Sequence, residues 1–356
     1  MEKPKSLRYI DQLALFKMRG VSGIRLDISL IHAKTQKEQK QQKRLIYQNH
    51  YKPLKTISFL GYYSLKNYAE PFEIHEKYED LSFSNLVARF YRDKRLRQAV
   101  LHAIEDIELT LDTKISHVLG EKYGPTGYTN FLNWCQKFER NEFIRDPHNS
   151  NGKFMDRNKL LDEQNKFLQT AKRKMHKSAS LDMKKFRENN PNSTNPPIWL
   201  LINELTLGES IHLLKLMSKN NRKKIASFFE TDTRTLISWL DCINLIRNIC
   251  CHNGDLADIK LITTPQVPDE YKRFLLRHAG NYTNRFALPL CVIFRLIGKI
   301  NNKYQVDPIY RSIKSLIGFR ANPKYYGFAS GKKLEELFKY QSKRNKESYT
   351  SSFQSY

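Results

Sequence analysis

The sequence predicts an all-α fold, and three observations carry that prediction. Apolar residues recur at helical spacing, most clearly from Ser84 to Leu119. Turn and stop signals punctuate the chain at Gly20, at Asn195-Pro196-Pro197 and at Asn253-Gly254. No stretch shows a strand pattern beyond short ambiguous runs, and there is no internal repeat. With 356 residues the chain has room for one large domain or two small ones.

The elements follow in order. Residues 7–19 are amphipathic and stop at Gly20. Residues 34–55 are Lys/Gln-rich and read as a solvated helix or a mobile arm. The aromatic run 57–72 ends at Pro71-Phe72. On the helix from Ser84 to Leu119, one face carries Leu86, Phe90, Arg97, Leu101, Ile104, Glu108, Leu111, Ile115 and Val118. Arg97 and Glu108 interrupt that apolar stripe. They stand about 16 Å apart along the axis, too far to pair, so each is expected to find a partner on another helix. Glu108 reads either as half of a structural salt bridge or as a residue at the rim of an active site.

Residues 136–195 read as a basic, Asn-rich insertion with one weak helix near 158–177. Helical patterning resumes at Ile198-Trp199 and runs to Met217. A short basic helix is expected at 221–229. The next helix, 235–252, takes Asp232 or Thr233 as N-cap and Asn253-Gly254 as stop signal. An apolar stretch, 286–300, contains Arg295 and Lys299 and so reads as a buried helix rather than a membrane span. Residues 301–345 form a basic, Tyr-rich C-terminal extension, and 346–356 read as a disordered tail.

The chain carries 61 Lys+Arg against 36 Asp+Glu, a net charge of +25. Such an excess suits a polyanionic partner, because each cation placed near a phosphate releases counterions; a merely basic surface is the plainer alternative. The N-terminus lacks the apolar core of a secretory signal. Five cysteines at 135, 242, 250, 251 and 291 form no paired framework, which fits reduced thiols in a cytoplasm. Cys250 and Cys251 should point about 100° apart on a helix, so no metal site is expected there.

One short run carries chemistry: Arg247-Asn248-Ile249-Cys250-Cys251-His252. A fixed cation can hold a phosphate, and an imidazole can move a proton near neutral pH. The spacing alone is weak. Arg–His pairs at similar spacing include Arg25–His32, Arg95–His102, Arg97–His102, Arg247–His252 and Arg273–His278, where roughly two coincidences are expected. Helix position separates them. On 235–252, Trp239, Cys242, Ile243, Ile246, Ile249 and Cys250 should be buried. Asp241, Asn244, Asn248 and His252 form a polar stripe opposite, flanked by Arg247. The last turn also favours the imidazolium of His252 through the helix dipole. From geometry alone, an active site and an ordinary solvent-facing stripe stand equal.

The residues also resemble the Abi-like (AbiD/AbiF) abortive-infection proteins of bacteria, in six ordered blocks. These are Lys3-Pro4 with Gln12-Leu13 and Lys17-Met18-Arg19-Gly20-Val21; Leu60-Gly61-Tyr62-Tyr63-Ser64-Leu65 with Tyr68 and Pro71-Phe72; and Leu96-Arg97 with Ile104-Glu105-Asp106-Ile107-Glu108. Pro197-Ile198-Trp199 with Glu204 and Leu207-Gly208-Glu209-Ser210 comes next, then Trp239-Leu240 with Arg247 to His252, and finally Tyr326-Gly327-Phe328. The chain departs from the family in a longer 22–55 segment, in Cys251 before the histidine, in Asn253-Gly254-Asp255-Leu256 after it, and in the 136–195 insertion.

The resemblance implies a HEPN-type helical bundle within an Abi-like domain of residues 1–300, with its core at approximately 84–119 and 196–300. It implies RNA cleavage without metal or other cofactor, at a site composed from the motifs of two copies, hence a homodimer. His252 would be general acid or base, Arg247 would hold the scissile phosphate, and Asn248 would orient either, with Glu108 and Asn244 in support. It further implies a toxin held in check by a small structured non-coding RNA. Lys172, Arg173, Lys174, Lys184 and Lys185 are the expected phosphate contacts. Three other readings remain: a catalytically weak RNA-binding protein of the same fold, a target of covalent nucleotide modification, and a DNA-binding regulator, the last disfavoured because no helix-turn-helix or zinc pattern occurs.

Overall fold

The computed structural model of the chain describes residues 6–29, 35–136, 157–318 and 322–353, with side chains to Asn345. The expected segments at Lys3-Pro4, at His32, within the insertion at 137–156 and at the last three residues lie outside the described residues. The described chain is all-α apart from two hairpins. Helix α1 is Tyr9–Met18. Helix α2, Gln36–Ile46, begins at a capping box between Thr35 and Glu38. It passes through one π-helical turn, Tyr47–Tyr51, into α3, Lys52–Leu60, so the Lys/Gln-rich segment is helical. Helix α4 is Tyr62–Ala69, and strands β1 (Glu73–Ile74) and β2 (Lys77–Tyr78) pair antiparallel. Helix α5, Phe83–Tyr123, is 41 residues long. Short α6, Phe131–Trp134, is followed by α7, Arg157–Lys177, and α8, Leu181–Asn189. Then come α9 (Ile198–Leu201), α10 (Leu207–Leu216), α11 (Lys219–Phe228) and α12 (Thr233–Cys251). The second hairpin is β3 (Arg277–His278) with β4 (Asn281–Tyr282). Helices α13 (Ala287–Ile300), α14 (Asp307–Ile317) and α15 (Gly331–Phe353) complete the chain, so helix continues into the segment expected to be disordered.

The chain divides into two compact units. The first draws on described residues within Met1–Ala99, Asn253–Lys260 and Pro308–Asn322. Its core joins Leu13 and Phe16 of α1 to Ile57, Leu65, Tyr68, Leu86 and Phe90, all buried. Phe16 stacks on Tyr62 with ring centroids 4.6 Å apart. Gly20 has φ +97°, and a Cβ there would stand 2.6 Å from the Tyr78 carbonyl oxygen, so only glycine lets the chain after α1 lie against β2.

At the polar centre of this unit sits Asp93, fully buried. Its Oδ2 accepts from the Tyr68 hydroxyl at 2.7 Å and from Arg97 Nε at 2.9 Å. Its Oδ1 accepts from the backbone N–H groups of Leu256 (3.2 Å) and Ala257 (2.8 Å). Arg97 also donates to Asn253 Oδ1 at 3.2 Å. This corrects the expectation that Arg97 takes its charged partner from another helix. The carboxylate lies one turn earlier on the same helix, where four-residue spacing brings the two side chains together.

The second unit comprises described residues within Val100–His252, Leu261–Asp307 and Pro323–Tyr356. Helix α13 is its spine, buried on nearly every side from Ala287 to Gly298. Arg295 within it is tolerated because it meets Glu270 Oε1 at 3.1 Å and the Glu230 carbonyl at 3.1 Å, with its guanidinium 5.7 Å from the Trp239 ring. Helix α15 packs beside it: Gln341 is fully buried and accepts from the Tyr271 hydroxyl, and Asn345 donates to the Tyr304 carbonyl at 2.9 Å. Part of the basic tail therefore belongs to the core of this unit. Helix α7 fulfils the weak helix expected near 158–177, whereas α8 was not foreseen; Phe167 of α7 packs 5.7 Å from Phe131.

Replacing Asp93 by Ala would strand a buried guanidinium, a buried hydroxyl and two buried N–H groups. Urea unfolding of Asp93→Ala is expected to show a loss of about 3–5 kcal/mol relative to wild type. A loss below about 1 kcal/mol, the worth of an exposed pair, would contradict this arrangement.

Candidate active site

Of the predicted catalytic and supporting residues, Asn244, Arg247 and Asn248 lie on α12, His252 at its C-terminal end, and Glu108 on α5. Asp232 caps α12, accepting from the Thr235 N–H at 3.0 Å. Leu236, Trp239, Leu240, Cys242, Ile243, Ile246 and Cys250 are buried, which fixes the rotation of the helix. Trp239 Nε1 donates to the Gln266 carbonyl at 2.7 Å and anchors this face. Ile249, expected in the core, is only half-buried. Cys250 is buried and Cys251 exposed, so the two thiols do point apart.

The opposite face carries the candidate residues. Asn248 and His252 are both exposed, and the His252 N–H donates to the Asn248 carbonyl at 2.9 Å in the last helical turn. Asn253 follows with φ +56°, a left-handed conformation that ends the helix just after the histidine. Arg247 Nε lies 3.6 Å from Glu108 Oε2 of α5, with side chains 27% and 19% exposed. That Nε is buried and has no hydrogen-bond partner among the described residues, so the contact with Glu108 is one of charge alone. Glu108 thus finds the partner on another helix that its place in an apolar stripe demanded.

A second acid, Asp112, stands one turn beyond Glu108 on α5 and was not anticipated. It is buried. Burial raises its carboxyl to about 7, against the opposing pull of the Ser210 hydroxyl and with the Glu108 charge adding to the rise. The four-residue step from Glu108 is the signal that places it on the same face.

Asn244 and Asp241 face a different place from Asn248 and His252. Asn244 is half-buried opposite Gly208 of α10, where a Cβ would come within 3.4 Å of its side chain. Together they line a cleft of about 480 Å³ with residues of α7. His212 lies in that cleft with its Nε2 3.1 Å from Glu163 Oε2, and Lys166 Nζ stands 3.3 Å from the same carboxylate. At its edge Lys215 meets Asp241 at 2.7 Å. Neither His212 nor Glu163 belongs to a motif, because the two come together only through the packing of α7 on α10.

Of the expected phosphate contacts, Lys172 and Arg173 on α7 and Lys184 and Lys185 on α8 are exposed. Lys174 is not available in the same way: its ammonium donates to the Glu204 carbonyl at 2.7 Å and meets Glu209 Oε2 at 3.0 Å. It ties α7 to the start of α10. Among the other Arg–His matches, His102 is exposed beside the Tyr304 ring, and Arg273 lies in the last turn of a short 3-10 helix, Asp269–Phe274, with His278 on β3.

Asp112 gives the site a pH signature. Its ordinary value is 3.8 and its folded value about 7, so between these the unfolded chain binds fewer protons than the folded one. Stability from this group is therefore highest below about pH 4 and declines as the pH rises towards about 7. Thermal melts are expected to show wild type losing more stability than Asp112→Asn between about pH 5 and about pH 8. Equal losses in the two proteins would contradict a buried, proton-retaining carboxyl.

Comparison with known proteins adds one result. No match is found among the curated proteins, and none among the solved structures. Among the described residues no helix is long and apolar enough to cross a membrane. The sequence profile described as Abi-like protein matches residues 55–258, more than half of the chain, and spans both Glu108 and the whole run from Arg247 to His252. The chain belongs to the Abi-like protein family.

Proposed function

We propose that this protein is a metal-independent HEPN-type endoribonuclease acting as a toxin in abortive-infection defence. The observation that supports this reading best is the pairing of Glu108 with Arg247 on the helix that ends at exposed His252. A carboxylate 3.6 Å from Nε draws the guanidinium to that side by charge, and a guanidinium can pair with a phosphate through its terminal N–H groups. RNA carries its own nucleophile. The 2′-oxygen attacks the adjacent phosphorus, its proton passes to a base, and the bond to the 5′-oxygen breaks as that oxygen receives a proton. His252 serves one of these transfers and Arg247 stabilises the charge that gathers on the non-bridging oxygens. Asn248, one turn before His252, orients the phosphate or the imidazole. The products are a 2′,3′-cyclic phosphate and a 5′-hydroxyl, and DNA, which lacks the 2′-hydroxyl, is not a substrate.

One histidine cannot be base and acid in the same step, so two copies of the chain bring their α12 ends together in a two-fold dimer. The exposed cations Lys172, Arg173, Lys184 and Lys185 hold phosphates of a small structured non-coding RNA that restrains the enzyme in the cytoplasm. These same exposed cations favour the second reading, a catalytically weak protein of the same fold that forms a stable ribonucleoprotein.

Cleavage of single-stranded RNA decides between them. Arg247→Ala and His252→Ala are each expected to lower the rate about 10²–10⁴-fold with an unchanged melting temperature, while His102→Ala keeps wild-type activity. Full activity in His252→Ala would remove the catalytic assignment, and an inactive wild type that binds RNA tightly would favour the second reading. Sized by light scattering, the active protein is expected to be a dimer; an active monomer contradicts the composite site.

A further inference from the structure

The second unit contains another concave surface, built around the β3–β4 hairpin, that belongs to no part of the site above. It is a cleft of about 800 Å³. Its walls include His278, Tyr282, Asn284, Arg285, Lys324 and Tyr325, and no acidic side chain occurs among the described residues that line it. In a chain with 36 Asp+Glu, a basic wall of this size without a carboxylate is a local concentration of positive charge.

The charges alternate with rings. The Arg285 guanidinium lies 4.9 Å from the Tyr325 ring centre, and Arg277 lies 5.1 Å from that of Tyr282. Both tyrosines are half-buried, and Lys324, Arg277 and His278 are exposed. Asn284 Nδ2 donates to the Leu261 carbonyl at 3.1 Å, and the Leu261 N–H donates to the Asn284 carbonyl at 2.8 Å, which fixes the floor.

The cleft also explains a motif that the catalytic reading leaves unused. Gly327, the centre of Tyr326-Gly327-Phe328, has φ +92°, and a Cβ there would stand 2.5 Å from Thr283 Oγ1. The Leu276 N–H donates to the Gly327 carbonyl at 2.8 Å and the Ala329 N–H to the Phe274 carbonyl at 2.9 Å. Tyr326 and Phe328 are buried. The motif therefore clamps the segment carrying Lys324 and Tyr325 against the one carrying Tyr282 and Arg285. At the hairpin tip Ala279 and Gly280 have φ +47° and +82°, the positive pair of a tight two-residue turn, which holds Arg277 and Tyr282 opposite one another.

Rings flanked by guanidinium and ammonium groups, in a groove whose described lining carries no acidic side chain, have the chemistry that takes unpaired nucleotides: bases stack on the rings and phosphates meet the cations. A duplex offers no free base faces to such a groove. We propose that this cleft is a second RNA-binding site, which takes a single-stranded ribonucleotide segment with bases on Tyr282 and Tyr325 and phosphates on Arg277, Arg285 and Lys324. The inference rests on RNA being the partner of this protein. The segment comes either from the strand to be cut or from an RNA carried by the protein, and the two sources share this chemistry.

The test uses full-length protein in a His252→Ala background, so that the probe survives. Binding of a fluorescent, unstructured oligoribonucleotide containing 4-thiouridine is measured by anisotropy, and the RNA that accompanies each protein from cells is quantified. Two variants at exposed positions, Lys324→Glu and Arg277→Glu, and the ring variant Tyr282→Ala are compared, with thermal melts confirming the fold. Each is expected to weaken oligonucleotide binding, lose the accompanying RNA, or both, by about tenfold or more. Photocrosslinks are expected on peptides containing Tyr282 or Tyr325. Loss in the oligonucleotide arm alone assigns the cleft to the substrate strand, and loss in the cellular arm alone assigns it to a carried RNA. If wild type binds RNA in either arm but all three variants match it and crosslinks fall elsewhere, the cleft assignment is overturned while the nuclease reading stands. If wild type binds RNA in neither arm, both fall.

Discussion

An arginine at a helix surface with only about a quarter of its side chain exposed does not keep one direction unless a carboxylate meets it, and in this chain Glu108 supplies that carboxylate to Arg247. The contact is worth little as a stabilising pair, because desolvation offsets much of the attraction between partly buried charges. Its value lies in keeping Arg247 near α5 by charge, without a hydrogen bond. Glu108 projects from α5, which the apolar stripe through Ile104, Leu111 and Ile115 anchors in the core. Arg247 projects from α12, whose rotation is fixed by Trp239, Ile243 and Ile246. The guanidinium, Asn248 and His252 are therefore placed by the hydrophobic core.

Asp112 sharpens this picture. Its carboxyl, buried one turn beyond Glu108, is pushed up to about 7, chiefly by burial.

How much of this could be read in the sequence varied with the range of the forces involved. Helix α5 was legible because its period persists over ten turns, and α12 because Asp232 caps it and Asn253 stops it. The placement of Arg247 and Glu108 on facing helices was half-legible, since an acid inside an apolar stripe demands a partner without saying which. Arg97 misled for the same reason: the acid four residues back, Asp93, satisfied it locally. Helix α8 was missed because a nine-residue helix with only Met183 buried has almost no apolar period, and the hairpins because two-residue strands have none. Lys174 resembled its exposed neighbours in sequence, yet packing against Glu209 turned it into a strut. The His212–Glu163 pair and the cleft around Tyr282 and Tyr325 depend on contacts between distant segments, which no local pattern encodes.

The central claim is that Arg247 and His252 act on RNA through its own 2′-hydroxyl. The most direct measurement is the chemical nature of the new ends, read by mass spectrometry on a short RNA cut by the purified protein and on the same RNA with a single 2′-deoxy substitution at the cut position. The account predicts a 2′,3′-cyclic phosphate and a 5′-hydroxyl, and no cut at the substituted position. A 3′-hydroxyl with a 5′-phosphate, or undiminished cutting at the deoxy position, would mean that water is the nucleophile and would contradict it.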